Sequence, residues 1–485
     1  MRRILIKLGL ALVGTLVVLG GLELLVRALD LAPKPGPNEG RTRLQGFHDT
    51  FYQLDEQLVF RMPPGLESDF SEYLENVSGP IHLSDRGYRI PGFQSQKQAE
   101  TFRIVCLGDS VTFGYGAGDL ECYPARLAEK LRAESDRPLE VINLGVPGYS
   151  TYQGIRMMEL EVEPLSPDLL IVGFGFNDSF LKRQSEAEYH RQLLATRRGF
   201  GKLLADGVDA LSDSALYRLI AASLAPGAES RGFQLDSSLH PRVPVEEYRD
   251  HLRSIVERAR ANGIAVVLIN TDFPNAYPRQ TLADLAGELK VPYVDLPRHF
   301  ESDVGYALGG EAIDLGELPA AGAGETTVLL QMKVPGIRAL PPDEEEKYLV
   351  EAIVLADPAK RPNHVSTRMR DNGDFPDLAA RDGIWTATVT VPAPSRGEIA
   401  FRLAAGMGTQ FRSLASFYNS VYFHRLEIPE VAEGRAWKAS PVPFNNCPYK
   451  SWMLPQEDIH PNAEGYDRMA THIADVVRTL EVFPR

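Results

Sequence analysis

A serine and a histidine in this chain have sequence neighbours that suit nucleophilic catalysis. Ser110 comes directly after the apolar run Ile104–Leu107 and the pair Gly108-Asp109. A continuous apolar run predicts a strand that is covered on both faces of a parallel sheet, and ligands bind at the carboxyl ends of such strands. A serine hydroxyl becomes a nucleophile when a base takes its proton, and His460 is the candidate base because histidine exchanges protons near neutral pH.

Gly-Asp-Ser is also ordinary turn chemistry, so the motif alone is weak. Three later stretches strengthen it. NLGVPGYS at 143–150 follows the strand-like LEVIN, GFGFNDS at 173–179 follows the apolar run LLIV, and EDIHPNAEGY at 457–466 lies near the C-terminus. Two of these follow predicted strands, so they are expected at the same sheet edge as Ser110.

In this order the four stretches resemble the four blocks of the SGNH (GDSL) hydrolase superfamily. The matching residues are Ser110, Gly148, Asn177 and His460. The resemblance covers roughly residues 75–305 and 440–485, and HLSDRGYRIPG before the first strand is similar to the lead-in of membrane-tethered members. It implies an α/β fold of the flavodoxin-like, three-layer α/β/α type with a parallel five-stranded sheet.

The attacked carbonyl needs hydrogen-bond donors for its developing negative charge. The resemblance assigns this oxyanion hole to the backbone N–H groups of Ser110 and Gly148 and to the side-chain amide of Asn177. Glycine at 148 allows a close backbone approach. Gly145 is the alternative glycine, although the spacing from Asn143 favours Gly148.

A carboxylate must orient the histidine, and two acids lie within reach by sequence. The commonest family spacing, DxxH, puts this acid at Glu457, whereas Asp458 gives the spacing DxH that occurs in related acyltransferases. Both stay candidates, with a slight preference for Asp458 because glutamate adds a methylene. Asn462 is also a good N-cap for the following helix, and such a cap would hold the loop that carries His460.

From residue 102 the sequence alternates between strand and helix patterns, which predicts a parallel sheet. Five strands are expected, the last two being IAVVLIN and VPYVDL, and VEEYRDHLRSIVERARANG is expected to form a helix that ends at Asn262-Gly263. Residues 180–245 are variable in pattern and are predicted to form a lid or a wall of the substrate site.

The histidine block is delayed by about 160 residues after Leu296, which predicts an inserted domain. Segments such as WTATVTVP alternate apolar and polar residues, the pattern of an antiparallel sandwich, and the region resembles bacterial immunoglobulin-like modules. Four acids in this region do not fit an EF-hand loop, and turn capping is favoured over calcium binding. They are Asp371, Asp374, Asp377 and Asp382.

Residues 4–26 are almost wholly apolar and long enough to span a bilayer. Arg2, Arg3 and Lys7 place the N-terminus in the cytoplasm by the positive-inside rule, and the rest of the chain outside. An uncleaved single-pass anchor in the cytoplasmic membrane is favoured over a cleaved signal peptide, because no clear A-x-A site follows. Residues 32–40 read as an extended tether, and residues 45–99 as an irregular extension on the catalytic domain.

The composition and the cysteine content limit which partners, metals and cofactors the sequence predicts. A net charge of −14 over 485 residues leaves no basic footprint for nucleic acid. The absence of CxxC and HExxH motifs predicts no metal, and no cofactor is expected. Cys106 is expected to be buried, and a disulfide between Cys122 and Cys447 is conceivable but disfavoured.

These patterns predict a serine esterase or acylhydrolase outside the cytoplasm, acting on an ester-bearing small molecule, a lipid or an acylated glycan. One alternative is an O-acetylesterase or O-acyltransferase of an envelope or exported polysaccharide, and another is a non-catalytic binding protein with a displaced Ser110. The predicted parts are a transmembrane anchor (1–28), a linker with an N-terminal extension (29–99), the hydrolase domain (100–310 and 440–485) and an inserted β-sandwich (316–430).

Overall fold

The computed structural model describes most of the catalytic region and the strands of the region that follows it. The described residues are 20–23, 25, 26, 29, 50–74, 77, 79–89, 96–196, 240–273, 279–316, 318, 320–322, 324–333, 348–355, 364–368, 384–392, 398–407, 424–427, 434–443, 447–454 and 459–484. The chain divides into two compact units, one of residues 1–51 and 187–234 and one of residues 52–186 and 235–485.

Among the described residues, twenty strands and ten α-helices have defined bounds. In chain order the strands are β1 (Gln53–Asp55), β2 (Val59–Arg61), β3 (Glu67–Asp69), β4 (Pro80–His82), β5 (Phe102–Gly108), β6 (Leu139–Gly145), β7 (Leu169–Gly173), β8 (Leu181–Lys182), β9 (His240–Pro241), β10 (Ala265–Asn270), β11 (Tyr293–Asp295), β12 (Gly310–Asp314), β13 (Glu325–Lys333), β14 (Tyr348–Leu355), β15 (His364–Arg368), β16 (Ile384–Pro392), β17 (Glu398–Met407), β18 (His424–Glu427), β19 (Arg435–Ala439) and β20 (Val442–Pro443). The helices are α1 (Ser110–Phe113), α2 (Tyr123–Arg132), α3 (Thr151–Met157), α4 (Glu163–Leu165), α5 (Phe176–Ser179), α6 (Glu186–Thr196), α7 (Val245–Ala261), α8 (Arg279–Leu289), α9 (Leu296–Asp303) and α10 (Ala463–Thr479).

The larger unit is built on a five-stranded sheet in the order β11-β10-β7-β5-β6, and every neighbouring pair is parallel. Numbered by chain position, these strands run 2-1-3-4-5 across the sheet. This is the flavodoxin-like order, in which the crevice lies between the first and third strands. The parallel five-stranded sheet predicted from the sequence is confirmed, and the crevice lies where β5 and β7 end.

Helices cover both faces of this sheet. Alternate side chains of β5, such as Ile104 and Cys106, belong to a core cluster with residues of α2 and α10. Val105 and Leu107 are also fully buried, and the period of two puts them on the opposite face. There α3 and α7 pack together, and Ile255 of α7 lies on that side of the core. Both faces are covered, which explains the unbroken apolar runs of the strands.

Two helices bear on the sequence predictions. The helix predicted before Asn262 ends at Ala261, and Gly263 follows with a φ of 72°. The segment YQGIRMMELEVE, whose sequence reads as one continuous helix, is not regular, because a π-helical turn at Met158–Val162 separates α3 from α4. That turn carries Glu161, whose buried carboxylate accepts a hydrogen bond from Arg86.

The extension before β5 contains short antiparallel pairs, β1 with β2 and β3 with β4. Tyr149 of the catalytic region donates its hydroxyl proton to the carbonyl of Phe60 at 2.6 Å. The buried Arg89 reaches from the extension into the segment after Ser110. The extension is therefore part of the support of the Ser110 region.

Two more sheets lie between β11 and α10. One has the order β12-β19-β13-β16, with β20 also paired to β13, and the other has the order β15-β14-β17-β18. Tyr306 and His424 join the end of the catalytic region to the second sheet through a 2.7 Å hydrogen bond. The sandwich packing and the predicted domain boundaries stay predictions.

The predicted anchor and disulfide end this description. Within the ranges given above, no helix is both long and apolar enough to cross a membrane, and most of residues 4–26 lie outside those ranges. Of residues 180–245, which are predicted to form a lid or a wall of the substrate site, residues 197–239 also lie outside them. Cys106, Cys122 and Cys447 are buried free thiols, so the disfavoured disulfide is absent.

Candidate active site

Ser110 is held at the sheet edge by a strand, a turn and a helix. The strand β5 ends at Gly108, and the Asp109 side chain accepts a 3.0 Å hydrogen bond from the Val111 N–H as an N-cap. Ser110 is the first residue of α1, which Gly114 ends in the left-handed conformation with a φ of 85°. The serine side chain thus stands at the carboxyl edge of the sheet, where it is only 8% exposed.

His460 reaches Ser110 from 350 residues away in the chain. Its Nε2 lies 2.8 Å from Ser110 Oγ, which is hydrogen-bond distance for a base and its nucleophile. Its ring lies beside that of Tyr115, with centroids 4.6 Å apart. The structure therefore brings together the two residues whose chemistry the sequence singled out.

The loop that carries His460 is closed at its base. The Leu454 N–H donates to the His460 carbonyl at 2.9 Å, and the Asn462 N–H donates to the Trp452 carbonyl at 2.9 Å. Asn462 also caps α10 by accepting from the Gly465 N–H at 3.0 Å. The predicted cap thus coexists with the histidine, and it ties the loop to the helix.

The two candidate acids, Glu457 and Asp458, lie outside the described residues. Their assignment as the residue that orients His460 stays a prediction.

Hydrogen bonding distinguishes the two candidate glycines. The Gly145 N–H donates to the Asn143 side chain at 2.9 Å, and a Cβ at Gly145 would come within 2.1 Å of the Phe113 nitrogen. Gly145 therefore packs against α1 and its donor is engaged. Among the hydrogen bonds of the described residues, neither Gly148 nor Ser110 donates its N–H to an acceptor. Of the two glycines, Gly148 is therefore the one whose backbone N–H is available to a bound substrate.

Asn177 connects the nucleophile turn to the glycine loop. Its Nδ2 donates to the Tyr149 carbonyl at 3.0 Å and approaches Asp109 Oδ2 at 3.4 Å. Those two acceptors are chain neighbours of Gly148 and Ser110. The amide therefore lies between the two predicted backbone donors, and the longer of its two contacts is the weaker one.

Two buried aspartates lie beside these residues. Burial raises the pKa of Asp109 to about 6, and the nearby Asp272 adds to the rise, while the Val111 N–H, His460 and Asn177 lower it. Burial likewise raises the pKa of Asp178 to about 7, against hydrogen bonds from Thr151. The carboxyl edge of the sheet is therefore an environment that disfavours extra negative charge unless donors meet it.

Three supporting residues were not predicted. Arg89 donates to the carbonyls of Phe113 and Gly114, at 2.9 and 2.7 Å, and thereby holds the end of α1. Tyr52 donates a hydrogen bond to the carbonyl of Pro147, and Arg242 donates one to the carbonyl of Gly148. The only sequence signal was the HLSDRGYRIPG lead-in, which contains Arg89; nothing in the sequence relates Tyr52 or Arg242 to Gly148.

Within the described ranges, no group of three or more His, Cys, Asp or Glu side chains is arranged to hold a metal ion. The four acids considered for calcium lie outside those ranges.

Comparison with known proteins gives one family match. Residues 106–314 match the GDSL-like lipase/acylhydrolase family. That segment holds Ser110, Gly148 and Asn177, whereas His460 lies beyond it. No curated protein matches the chain. The family match supports a GDSL-like lipase/acylhydrolase domain, of the SGNH superfamily, in this part of the chain.

Several solved structures are similar to part of this chain. A lipase/acylhydrolase from Enterococcus faecalis shares 17% identity over 41% of this chain and 78% of its own, with a TM-score of 0.25. A psychrotrophic esterase from Pseudoalteromonas sp. shares 16% identity over 42% of this chain and 84% of its own, with a TM-score of 0.25. An acetyl-xylooligosaccharide esterase from Geobacillus shares 17% identity over 44% of this chain and 82% of its own, with a TM-score of 0.27.

Proposed function

We propose that this protein is a serine esterase that hydrolyses carboxylic esters through an acyl-enzyme on Ser110. The observation that carries the proposal is the 2.8 Å hydrogen bond between Ser110 Oγ and His460 Nε2 at the carboxyl edge of the parallel sheet. The match of residues 106–314 to the GDSL-like lipase/acylhydrolase family supports it. The pairing also speaks against the non-catalytic alternative, which requires a displaced serine.

In the first half-reaction Ser110 Oγ attacks the ester carbonyl carbon while His460 Nε2 takes the hydroxyl proton. The negative charge on the carbonyl oxygen is met by the N–H groups of Ser110 and Gly148 and by the Asn177 amide. The carbon–oxygen bond to the alcohol then breaks, and the alcohol leaves with the proton from His460. Asp458 or Glu457 holds the other ring nitrogen of His460.

In the second half-reaction water attacks the acyl-enzyme, His460 takes a proton from that water, and the acid leaves as Ser110 regains its proton. The histidine and serine end in their starting states. If the hydroxyl of a glycan replaces water in this step, the same residues transfer the acyl group to the sugar. The acceptor therefore distinguishes an esterase from an acyltransferase.

The first experiment measures p-nitrophenyl acetate turnover by the full chain, beside Ser110→Ala and His460→Ala. Each substitution is expected to lower kcat by about 10⁴-fold or more, and the double variant is expected to be no worse. Ser135→Ala is the control, because Ser135 lies before β6 at the opposite edge of the sheet. Equal turnover by the wild type and Ser110→Ala would overturn the proposal.

The substrates proposed are an ester-bearing small molecule, a lipid or an acylated glycan. A parallel reaction offers an acetylated glycan as donor and an unmodified sugar as acceptor, with the products followed by mass spectrometry. Ser110-dependent acetyl transfer to sugar that outruns hydrolysis would identify an acyltransferase, and release of acetate alone would identify an esterase.

The location proposed is the outer side of the cytoplasmic membrane, with residues 4–26 as the anchor. The apolar length of that segment and the preceding Arg2, Arg3 and Lys7 support this orientation. Alkaline phosphatase fused to the C-terminus, which is active only outside the cytoplasm, should be active and sediment with membranes. An inactive fusion in the soluble fraction would contradict it.

A further inference from the structure

Gly148 lies in a tight turn whose central peptide has two possible orientations. The Tyr149 N–H donates to the Val146 carbonyl at 3.1 Å, which closes a turn over 146–149. Pro147 and Gly148 are its central residues, and Gly148 has a φ of 83°. Proline followed by a glycine of positive φ is the pattern of a type II turn.

The alternative to a type II turn is a type I turn, which differs by rotation of the central peptide through about 180°. Here that peptide joins Pro147 to Gly148, and it carries the Gly148 N–H. Because a planar trans peptide points its C=O and N–H in opposite directions, rotation would carry the N–H to the other side of the chain. The orientation of one peptide thus decides whether this donor faces the reaction.

Two side chains from distant parts of the chain bond the peptides on either side of Gly148. The Tyr52 hydroxyl donates to the Pro147 carbonyl at 3.1 Å. Arg242 Nη1 donates to the Gly148 carbonyl at 2.8 Å. The Tyr52 bond acts on the same peptide that carries the Gly148 N–H, and it would be lost in the rotated form.

Arg242 is itself held in place. Glu186 accepts from its Nε and, at 2.8 Å, from its Nη2, so the two side chains form a bidentate pair. Gln153 Nε2 donates to the same Glu186 carboxylate at 2.7 Å. With Glu186 only 5% exposed, the guanidinium is directed at Gly148 by a buried partner.

We propose that Tyr52 and Arg242 are positioning residues that hold the Pro147–Gly148 and Gly148–Tyr149 peptides, and so keep the Gly148 N–H directed at the oxyanion. Neither side chain touches the reacting atoms. They act through the backbone of Gly148, whose flexibility would otherwise permit both turn types. This inference rests on the proposed esterase function.

The test removes the Tyr52 hydroxyl with Tyr52→Phe in the full chain. Expected are a fall in kcat of roughly tenfold and a KM within about twofold, since a direct oxyanion donor accounts for about 10² to 10³ in kcat and Tyr52 acts through one. Inhibition by phenylboronic acid, which forms a tetrahedral adduct with a serine, should weaken by the same roughly tenfold factor. Removal of a residue that only stabilised the fold would leave the inhibition constant for phenylboronic acid at its wild-type value.

Tyr449→Phe is the matched control, because Tyr449 is a buried tyrosine that donates to a different carbonyl, that of Phe273, at 2.9 Å. Its kcat and boronic acid affinity should stay at the wild-type values. Arg242→Lys, which keeps the charge and loses the bidentate pair, should lower kcat in the same sense as Tyr52→Phe.

Gly148→Ala supplies a second, independent readout. Alanine disfavours a φ of 83° and so favours the rotated peptide, for which Tyr52 has no role. Tyr52→Phe should therefore lower kcat by less than about twofold when Gly148→Ala is already present. Full additivity of the two changes would overturn the inference.

The outcomes separate this inference from the function on which it rests. Wild-type kcat and boronic acid affinity in Tyr52→Phe, with turnover still dependent on Ser110, would overturn the inference alone. Wild-type turnover that does not depend on Ser110 would overturn the proposed function, and this inference with it.

Discussion

Ser110 stands in a turn that its own sequence neighbours build on a strand, whereas His460 stands in a loop brought to it by a helix. The serine turn takes its place from β5, whose pairing puts Gly108 beside Gly145 and Gly173. The histidine loop is carried by α10, which packs against α2. Arg478 of α10 pairs with both carboxylate oxygens of Glu134, at 2.8 Å each.

This difference explains how a long segment can separate the two residues. The register of β5 with its neighbouring strands fixes the position of Ser110, so an insertion within these strands would displace the serine. A helix that packs on the finished sheet carries its loop along, whatever the length of the preceding connection. Tyr466 contributes by donating from α10 to the Tyr115 carbonyl at 3.1 Å. The strands that lie between β11 and α10 in the chain therefore leave the Ser110–His460 pair intact.

On the histidine side, the largest expected effect after loss of His460 itself comes from the acid that orients its ring. Asp458→Asn is expected to lower kcat by about 10² to 10⁴-fold, because the imidazole loses the group that fixes its tautomer. Glu457→Gln is its matched control and should stay within about twofold of the wild type. The two kcat values, measured with p-nitrophenyl acetate, decide the assignment. The opposite ranking would give the role to Glu457.

On the serine side, Arg89→Met should lower stability most. The Arg89 guanidinium is fully buried and bonds Asp119 and the carbonyls that end α1, so its loss should lower the free energy of unfolding by about 3 to 5 kcal/mol. Urea unfolding followed by circular dichroism measures it. Arg137→Met is the control, since Arg137 also bonds two carbonyls but is only half-buried. Equal losses in both variants would contradict a special role for the extension.

The raised pKa of Asp178 predicts that the stability of the folded protein depends on pH. Its folded-state pKa of about 7 lies above the unfolded value, so the folded protein keeps a proton that the unfolded chain releases. Stability should therefore fall as pH rises from about 4 to about 7. Asp178→Asn keeps an acceptor for Thr151 and removes the titration, so its stability relative to the wild type should rise by on the order of 3 kcal/mol across that window.

Urea unfolding at pH 4, 5.5 and 7 measures this trend. Asp250→Asn is the control, because that side chain is 73% exposed. Asp109, whose pKa is raised to about 6, adds a trend of the same sign to all three proteins. A pH-independent difference between Asp178→Asn and the wild type would contradict the prediction.

The smallest expected effect is that of replacing Asn462, which caps α10 and bonds the loop that carries His460. Asn462→Ala removes the cap of α10 and should lower the free energy of unfolding by about 1 kcal/mol. It also removes the amide bond to the Ser451 carbonyl at 2.8 Å, so kcat should fall by a few-fold. Asn462→Asp keeps the cap acceptor and loses the amide donors. An unchanged kcat in both variants would show that the loop is held without Asn462.

The parallel sheet was predictable, and so was the placement of polar residues at its carboxyl edge, because both depend on local sequence patterns. Unbroken apolar runs identify strands covered on both faces, and the polar residues after them must meet at the carboxyl edge. The helix ending before Gly263 was predictable for the same kind of reason. The π-helical turn after Met157 was not, since its residues read as one continuous helix.

The choice between Gly145 and Gly148 was open because both sit in the same motif. Spacing favoured Gly148, and the structure adds a physical reason, since the Gly145 N–H is engaged by Asn143. The support from Tyr52 and Arg242 was not predictable at all. Their partners are backbone carbonyls about 95 residues away. Because every residue has a backbone carbonyl, the sequence does not indicate which of them a distant side chain bonds.

The sequence by itself determined the parallel sheet, the turn that presents Ser110, and the identity of the residues that carry the proposed chemistry, because each depends on apolar periodicity or on turn-forming residues within a few positions. Only the tertiary structure decided which residues meet. The 2.8 Å approach of His460 to Ser110 and the hold of Tyr52 on the Pro147–Gly148 peptide join segments far apart in the chain. Such contacts follow from strand order and helix packing, which depend on the whole fold at once.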